Sequence, residues 1–312
     1  MPVKQALWLG VGGLITAALY LSVLAGPAFF LLQYLTQLPL LCVGLAFGLS
    51  SLFATSLISI LFTVVADPGL TIVFVLGYIG PVLFIVHRVS LRRKLATGEE
   101  EWYPAGRILA GLTTYVLIVF VFALAWFSGR EGGLAGLIEA SLVEVLGAMG
   151  HNVPHISEDT LRAYLFVVPG LLGMSWLIMV VVNGALAQGL MAGFQGIRRP
   201  RLALADMSLP NWLACLLVPT MVMVTVGNSG LVFFGGAATL VLLTPFLFQG
   251  LGVVHRWVGR TKIPGLLLTG FYLAMLLFQW PILLTIGIGL VDQWLDFRGL
   301  RAGARLAWLV HR

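Results

Sequence analysis

Long apolar segments alternate with short polar ones along this chain, and the segment from Gln37 to Asp67 carries the most informative pattern. Within it, small hydroxyl residues recur at every fourth position, and we call these four the hydroxyl ridge: Ser51, Thr55, Ser59 and Thr63. On a helix each such step advances only about 40° beyond a full turn, so the hydroxyls form one face. In a membrane, a face of small polar residues is either a helix-packing surface or the wall of a binding site.

The hydrophobic pattern as a whole predicts an all-α fold, a polytopic transmembrane helix bundle of about 8–10 membrane segments. We expect a single integral membrane domain over residues 1–312. A more polar stretch at about 128–162 is predicted to be an outer loop with an amphipathic helix, because its leucines follow helical spacing. The sequence Asp67-Pro68-Gly69 predicts a turn at a membrane boundary.

The last apolar run, from Ile263 to Leu290, is too long for one untilted span, since a helix rises about 1.5 Å per residue and the bilayer core is about 30 Å thick. Gln279-Trp280-Pro281 falls at its middle. The break favours two short helices over one steeply tilted helix.

Composition excludes a sizeable soluble domain, because 60% of the residues are hydrophobic and only 10% are charged, against about 25% charged in typical globular domains. The net charge is +6, and the basic residues form short clusters between apolar runs, the densest from His87 to Lys94. Such clusters mark cytoplasmic loops, and counting spans from them places the N-terminus in the cytoplasm. The aromatic residues lie within apolar segments and not among the basic residues, so we expect no nucleic-acid partner.

The first apolar segment, roughly Ala6 to Ala25, carries small residues four positions apart. Small residues at this interval let a neighbouring helix backbone approach closely. Two interpretations remain, ordinary packing within the chain or docking of a partner helix. The residues predicted for a partner-helix contact are Gly13, Ala17, Ala18, Ser22 and Gly26.

Polar side chains inside the predicted spans are almost all neutral, and carboxylates are nearly absent from them. A proton-coupled transporter usually needs a buried titratable residue, so this pattern disfavours proton-driven transport. Neutral groups suit an uncharged or amphipathic small molecule, or helix packing alone. The predicted substrate-binding residues are the hydroxyl ridge, Ser51, Thr55, Ser59 and Thr63, together with Asn183 and Gln188.

Catalytic chemistry has one candidate, the loop from His151 to His155, followed by Glu158 and Asp159. Two imidazoles near a carboxylate could bind zinc, but Pro154 prevents a plain helical pairing, and we interpret the segment as a solvated outer loop. We therefore predict no metal, no cofactor and no enzymatic activity. The chain also lacks a GxxxxGK[ST] motif, so ATP-driven transport would require a partner.

Two resemblances extend these predictions. The segment from Leu38 to Leu49 looks like the one that follows the first helix in substrate-binding subunits of energy-coupling-factor vitamin transporters. Ala18, Ser22 and Gly26 resemble the small-residue surface that such subunits present to their transmembrane coupling protein. Ser22 and Gly26 replace the alanines typical of that surface, and this chain has more apolar segments than those subunits.

Over nearly its full length the chain resembles the YybS-like family of bacterial multi-pass membrane proteins. That resemblance lies in three motifs: Ser208 to Trp212, Gln249 to Leu251 and Gly289 to Arg298. It implies a location in the bacterial cytoplasmic (inner) membrane.

Two functional hypotheses follow. In the first, the chain is a substrate-capture subunit of a small-molecule transporter, embedded in the lipid bilayer and docked on a transmembrane coupling protein with ATPase subunits. In the second, it is a non-transporting membrane scaffold or assembly factor, and the hydroxyl ridge serves only helix packing.

Overall fold

A computed structural model describes residues 3–26, 29–94, 98, 100–148, 165–193 and 203–300. These residues are almost entirely helical, which confirms the predicted all-α bundle. Six helices are long and apolar enough to cross a membrane: Val3–Ala25, Leu49–Ala66, Pro68–Ser90, Ala105–Phe127, Val167–Leu190 and Ser229–Val258. The chain is thus a multi-pass integral membrane protein.

Three further apolar elements accompany these spans. Pro264–Leu277 and Trp280–Leu295 form a pair bent by 117°, and Leu31–Phe47 and Asn211–Val226 are shorter apolar helices. The bend lies at Phe278 and Gln279, where the sequence predicted a break. Pro281 explains it, because proline is tolerated only in the first turn of the new helix.

The helices have these bounds: α1 Val3–Leu21, α2 Phe30–Gln33, α3 Gln37–Phe47, α4 Leu49–Ala66, α5 Pro68–Phe74, α6 Gly80–Ser90, α7 Ala105–Phe127, α8 Gly133–Ala148, α9 Val167–Leu190, α10 Asn211–Val226, α11 Ser229–Val258, α12 Pro264–Leu277 and α13 Trp280–Leu295. Short 3₁₀ turns cover Ser22–Ala25 and Leu204–Asp206, and a π-helical turn, Val75–Ile79, joins α5 to α6.

The chain divides into two compact units. Unit 1 comprises Met1–Pro104 and Ile178–Leu202, and unit 2 comprises Ala105–Leu177 and Ala203–Arg312.

Unit 1 contains several helix breaks that the sequence accounts for. Gly48 separates α3 from α4 with φ at +83°, a backbone conformation that favours glycine. Asp67 ends α4 and caps α5, since its Oδ1 accepts hydrogen bonds from Gly69 N at 2.7 Å and Leu70 N at 3.0 Å. The predicted turn at Asp67 is therefore confirmed.

A two-stranded antiparallel sheet interrupts the helices between α6 and α7. Strand β1, Arg92–Lys94, pairs with β2, Glu100–Trp102, and Arg93 lies opposite Glu101. The sequence predicted only a charged loop here. The strands place opposite charges across from each other, a favourable cross-strand pairing.

Unit 2 is organised around the long helix α11, which packs closely against α13. A Cβ added at Gly250 would overlap the Thr285 carbonyl, and one added at Gly289 would overlap the Phe246 carbonyl. Glycine at both positions therefore allows the two backbones to touch.

Candidate functional site

The hydroxyl ridge is fully buried in unit 1. Each hydroxyl lies within hydrogen-bond distance of the carbonyl four residues earlier, which is in α4 for all but Ser51, whose acceptor Phe47 O ends α3. The distances are 3.4 Å for Ser51, 3.0 Å for Thr55, 3.0 Å for Ser59 and 2.8 Å for Thr63. Two contacts tie the ridge to α1. Ser59 Oγ lies 3.1 Å from Gly13 O, and Gln5 Nε2 donates to Ser51 Oγ at 3.0 Å.

The glycines of α1 allow this close approach. A Cβ at Gly13 would lie 2.7 Å from Ile58 Cγ2 and 3.1 Å from Thr55 O. The structure thus places the ridge on a helix-packing surface with its hydroxyl groups already hydrogen-bonded. A role of these four residues in substrate binding stays a prediction.

The small residues of the first helix do not share one face. Gly13 and Ala17 are buried, whereas Ala18 is exposed. Ser22 and Gly26 are half-buried, and Ser22 Oγ donates to Leu19 O at 2.7 Å. Gly13 packs against α4 of the same chain, so Ala18, Ser22 and Gly26 remain as the residues that could contact a partner helix. That contact stays a prediction.

A different set of polar groups meets where the second apolar segment is broken, between α2 and α3. Asn183 Nδ2 donates to Tyr34 O at 2.6 Å and to Met179 O at 2.8 Å. Gln37 Nε2 donates to Gly77 O, in the π turn, at 3.2 Å. We call this group the break cluster: the side chains of Thr36, Gln37 and Asn183 with the carbonyls of Tyr34 and Gly77.

The carbonyls of Tyr34 and Gly77 both lie where the helical backbone is irregular. Leu38 N, which a regular helix would direct to Tyr34 O, donates instead to Leu35 O at 3.0 Å. Pro81 has no N–H to direct to Gly77 O, four residues earlier. The amide groups of Asn183 and Gln37 therefore bond to carbonyls that lie beside a helix break and four residues before a proline.

Three buried atoms of the break cluster have no hydrogen-bond partner within the part of the chain the structure describes: Thr36 Oγ1, Gln37 Oε1 and Asn183 Oδ1. The three residues are at most 1% exposed. The orientation of both amides is determined by their bonds, because the reversed orientation would set oxygen against a carbonyl oxygen. The free atoms are thus two amide oxygens and one hydroxyl.

Sequence reasoning identified Asn183 but missed Thr36 and Gln37. Their signal was a polar pair inside an apolar run just before Pro39. Gln188, the other predicted residue of α9, is only half-buried and bonds to Gly184 O at 3.3 Å within its own helix. The structure therefore brings Asn183 into the cluster, and a role of Gln188 in substrate binding stays a prediction.

Unit 2 holds a second buried polar cluster, which we call the α13 network. Arg298 and Asp292 form an ion pair at 2.7 Å, with each side chain only 2% exposed. Asp296 has φ of +48° after the end of α13, and the chain turns there so that Arg298 lies beside Asp292. Arg298 Nη1 also donates to Met207 O at 2.6 Å and Ala205 O at 3.2 Å.

Asp292 lies inside α13, two residues beyond the predicted end of the last apolar run at Leu290, and Arg298, predicted to follow that run in the cytoplasm, is buried beside it. The expectation that carboxylates are nearly absent from the apolar runs is unaffected. Sequence reasoning did not predict the pair. The six-residue separation across a helix end was the available signal.

Amides complete the α13 network. Gln249 Nε2 donates to Asp292 Oδ2 at 3.0 Å and to Gln293 Oε1 at 3.1 Å, and Gln249 Oε1 accepts from Leu209 N at 3.2 Å. Gln293 Nε2 donates to Leu209 O at 3.2 Å and Asn211 Oδ1 at 2.7 Å. Residues from three separate segments, 208–212, 249–251 and 289–298, thus converge in this network.

The histidine loop, His151 to His155 with Glu158 and Asp159, lies outside the described residues. Comparison with protein-family models, curated proteins and solved structures finds no match for this chain.

Proposed function

We propose that this protein is a substrate-capture subunit of a small-molecule transporter, and that the break cluster of unit 1 holds its ligand. In this proposal the chain binds and releases a small molecule without chemical change. A transmembrane coupling protein with ATPase subunits supplies the energy, and the bacterial inner membrane is the site of action.

The observation that carries the proposal is the group of unpartnered atoms Thr36 Oγ1, Gln37 Oε1 and Asn183 Oδ1. A buried polar atom without a partner costs about 1–3 kcal/mol, so each of the three opposes folding unless a ligand compensates it. The amide nitrogens of Gln37 and Asn183 donate to carbonyls, and these bonds fix the direction of the two amide oxygens.

The backbone around the cluster supports the same function. In membrane transporters, substrates commonly bind where spanning helices are discontinuous, and π-helical turns often occur at functional sites. Here the break between α2 and α3 and the π turn Val75–Ile79 both contribute a carbonyl to the cluster.

The test is gentle purification from native membranes followed by mass spectrometry of the bound proteins and small molecules. We expect the wild type to retain a small molecule and a membrane partner with its ATPase. Asn183→Leu should retain the partner and lose the small molecule. Val182→Leu, at an exposed position next to Asn183 on the same helix, is the matched control and should retain both.

The alternative, a membrane scaffold or assembly factor, predicts a different outcome. A scaffold would retain protein partners and no small molecule in either variant or in the wild type. That result would contradict substrate capture.

A further inference from the structure

The atoms left without partners in the break cluster share one chemistry. The amide oxygens of Gln37 and Asn183 can only accept hydrogen bonds, and the Thr36 hydroxyl can accept one and donate one. A molecule bound against them must therefore supply N–H or O–H groups.

Charge narrows the class of molecule further. An anion would face the partial negative charge of two amide oxygens. An organic cation would leave water without gaining a carboxylate from any of the three side chains, and that transfer is costly. The cluster therefore matches an uncharged molecule.

A bare metal cation matches less well. Discontinuous helices usually coordinate sodium through free backbone carbonyls. Here Tyr34 O accepts from Asn183 Nδ2 at 2.6 Å and Gly77 O accepts from Gln37 Nε2 at 3.2 Å. Gln33 O accepts from Thr36 N at 3.1 Å. The carbonyls of the break are already engaged with N–H groups.

We infer that the break cluster binds an uncharged organic molecule through at least two of that molecule's N–H or O–H groups, as amides, ureas and hydroxylated compounds offer. This inference rests on the proposed function and names its substrate class. Gln37 Oε1 and Asn183 Oδ1 accept from the molecule, and Thr36 Oγ1 forms the third contact.

The sharpest variant is Thr36→Val, because it removes a hydroxyl that has no partner among the described residues and keeps the shape of the side chain. Full-length wild type and Thr36→Val are purified in parallel from native membranes, and their bound small molecules are compared by mass spectrometry. We expect one compound to fall about tenfold or more in the variant, because the bound molecule loses its hydrogen bond to Thr36 Oγ1. In deuterium oxide that compound should exchange at least two hydrogens, and it should be uncharged at neutral pH.

The control is Thr16→Val. Thr16 is also fully buried in unit 1, but its hydroxyl already donates to Gly12 O at 2.8 Å. Its substitution should leave the amount of the compound unchanged.

A depleted compound that is charged, or that exchanges fewer than two hydrogens, overturns this inference and leaves the proposed function intact. A wild type that retains no compound contradicts the proposed function itself. Sodium chloride is compared with choline chloride in thermal unfolding of the same proteins. A sodium-specific rise in the melting temperature that Thr36→Val abolishes would show a cation site and overturn the inference.

Discussion

The break cluster of unit 1 and the α13 network of unit 2 are both buried and polar, but their hydrogen bonding differs. In the α13 network, Arg298 and Asp292 form an ion pair at 2.7 Å. Gln249 of α11 and Gln293 of α13 both form hydrogen bonds with the backbone of Leu209. In the break cluster, the amide nitrogens are bonded while two amide oxygens and a hydroxyl remain free. Asp292 Oδ1 is the one side-chain atom of the α13 network without a partner among the described residues. A network in which nearly every polar atom is bonded stabilises a fold, whereas several unbonded acceptors are available to a ligand.

The hydroxyl ridge resembles the α13 network in this respect. Its hydroxyls are buried like Thr36, yet each bonds to the carbonyl four residues earlier. Burial of a polar residue alone therefore does not mark a site. Single unpartnered atoms also occur elsewhere among the described residues, at Ser56 Oγ and Asp292 Oδ1, whereas the break cluster has three.

The largest expected effect is on the buried ion pair. Arg298→Ala would leave Asp292 charged and buried, and breaking such a pair costs about 3–5 kcal/mol. Arg93→Ala is the control, because Arg93 pairs with Glu101 at 2.6 Å but is 73% exposed, and exposed pairs contribute about 0–1 kcal/mol. Unfolding in a denaturing detergent measures both. Equal losses would show that the α13 network does not stabilise unit 2.

Helix packing in unit 2 should give the next largest effect. Gly289→Ala would force a methyl group into the Phe246 carbonyl, and overpacking costs about 1–3 kcal/mol. Gly287→Ala, in the same helix, meets nothing within 4 Å and should be neutral or stabilising. Thermal unfolding of the two variants tests the packing of α11 on α13, and a stable Gly289→Ala protein would refute it.

The ridge should show a smaller effect. Ser59→Ala removes a hydroxyl whose single proton can bond either to Gly13 O on α1 or to Thr55 O within α4, and interhelical bonds in membranes contribute about 0.6 kcal/mol on average. Thr63→Val removes only a bond within α4 and should change stability less. If both variants also lost a bound small molecule while remaining folded, the ridge would belong to the ligand site.

The smallest effect on stability is expected at Thr36, whose hydroxyl, unlike those of the ridge, has no partner among the described residues. Without ligand, Thr36→Val should leave the free energy of unfolding unchanged or raise it slightly, because it removes an unpartnered buried hydroxyl. Thermal unfolding of ligand-free protein measures this. A loss above about 1.5 kcal/mol, more than a typical hydrogen bond contributes, would mean that Thr36 is bonded in the folded protein.

Much of the fold could be predicted from local features. Long apolar runs identified the spans, and proline and glycine marked breaks at Pro68, Pro281 and Gly48, because these residues restrict or release the backbone wherever they occur. The hairpin of β1 and β2 could not be predicted, since both strands are three residues long and highly charged, and nothing in their local sequence marks them as strands.

The sequence by itself determined that this is an all-α integral membrane protein with a buried ridge of hydroxyls. Only the tertiary structure decided what the polar residues contact. Asn183 and Tyr34 meet across 149 positions of sequence, and Gln249 meets Asp292 across 43. Helical periodicity orients a side chain about its own axis, but the partner it finds depends on which helices pack together, and that is settled by the fold as a whole.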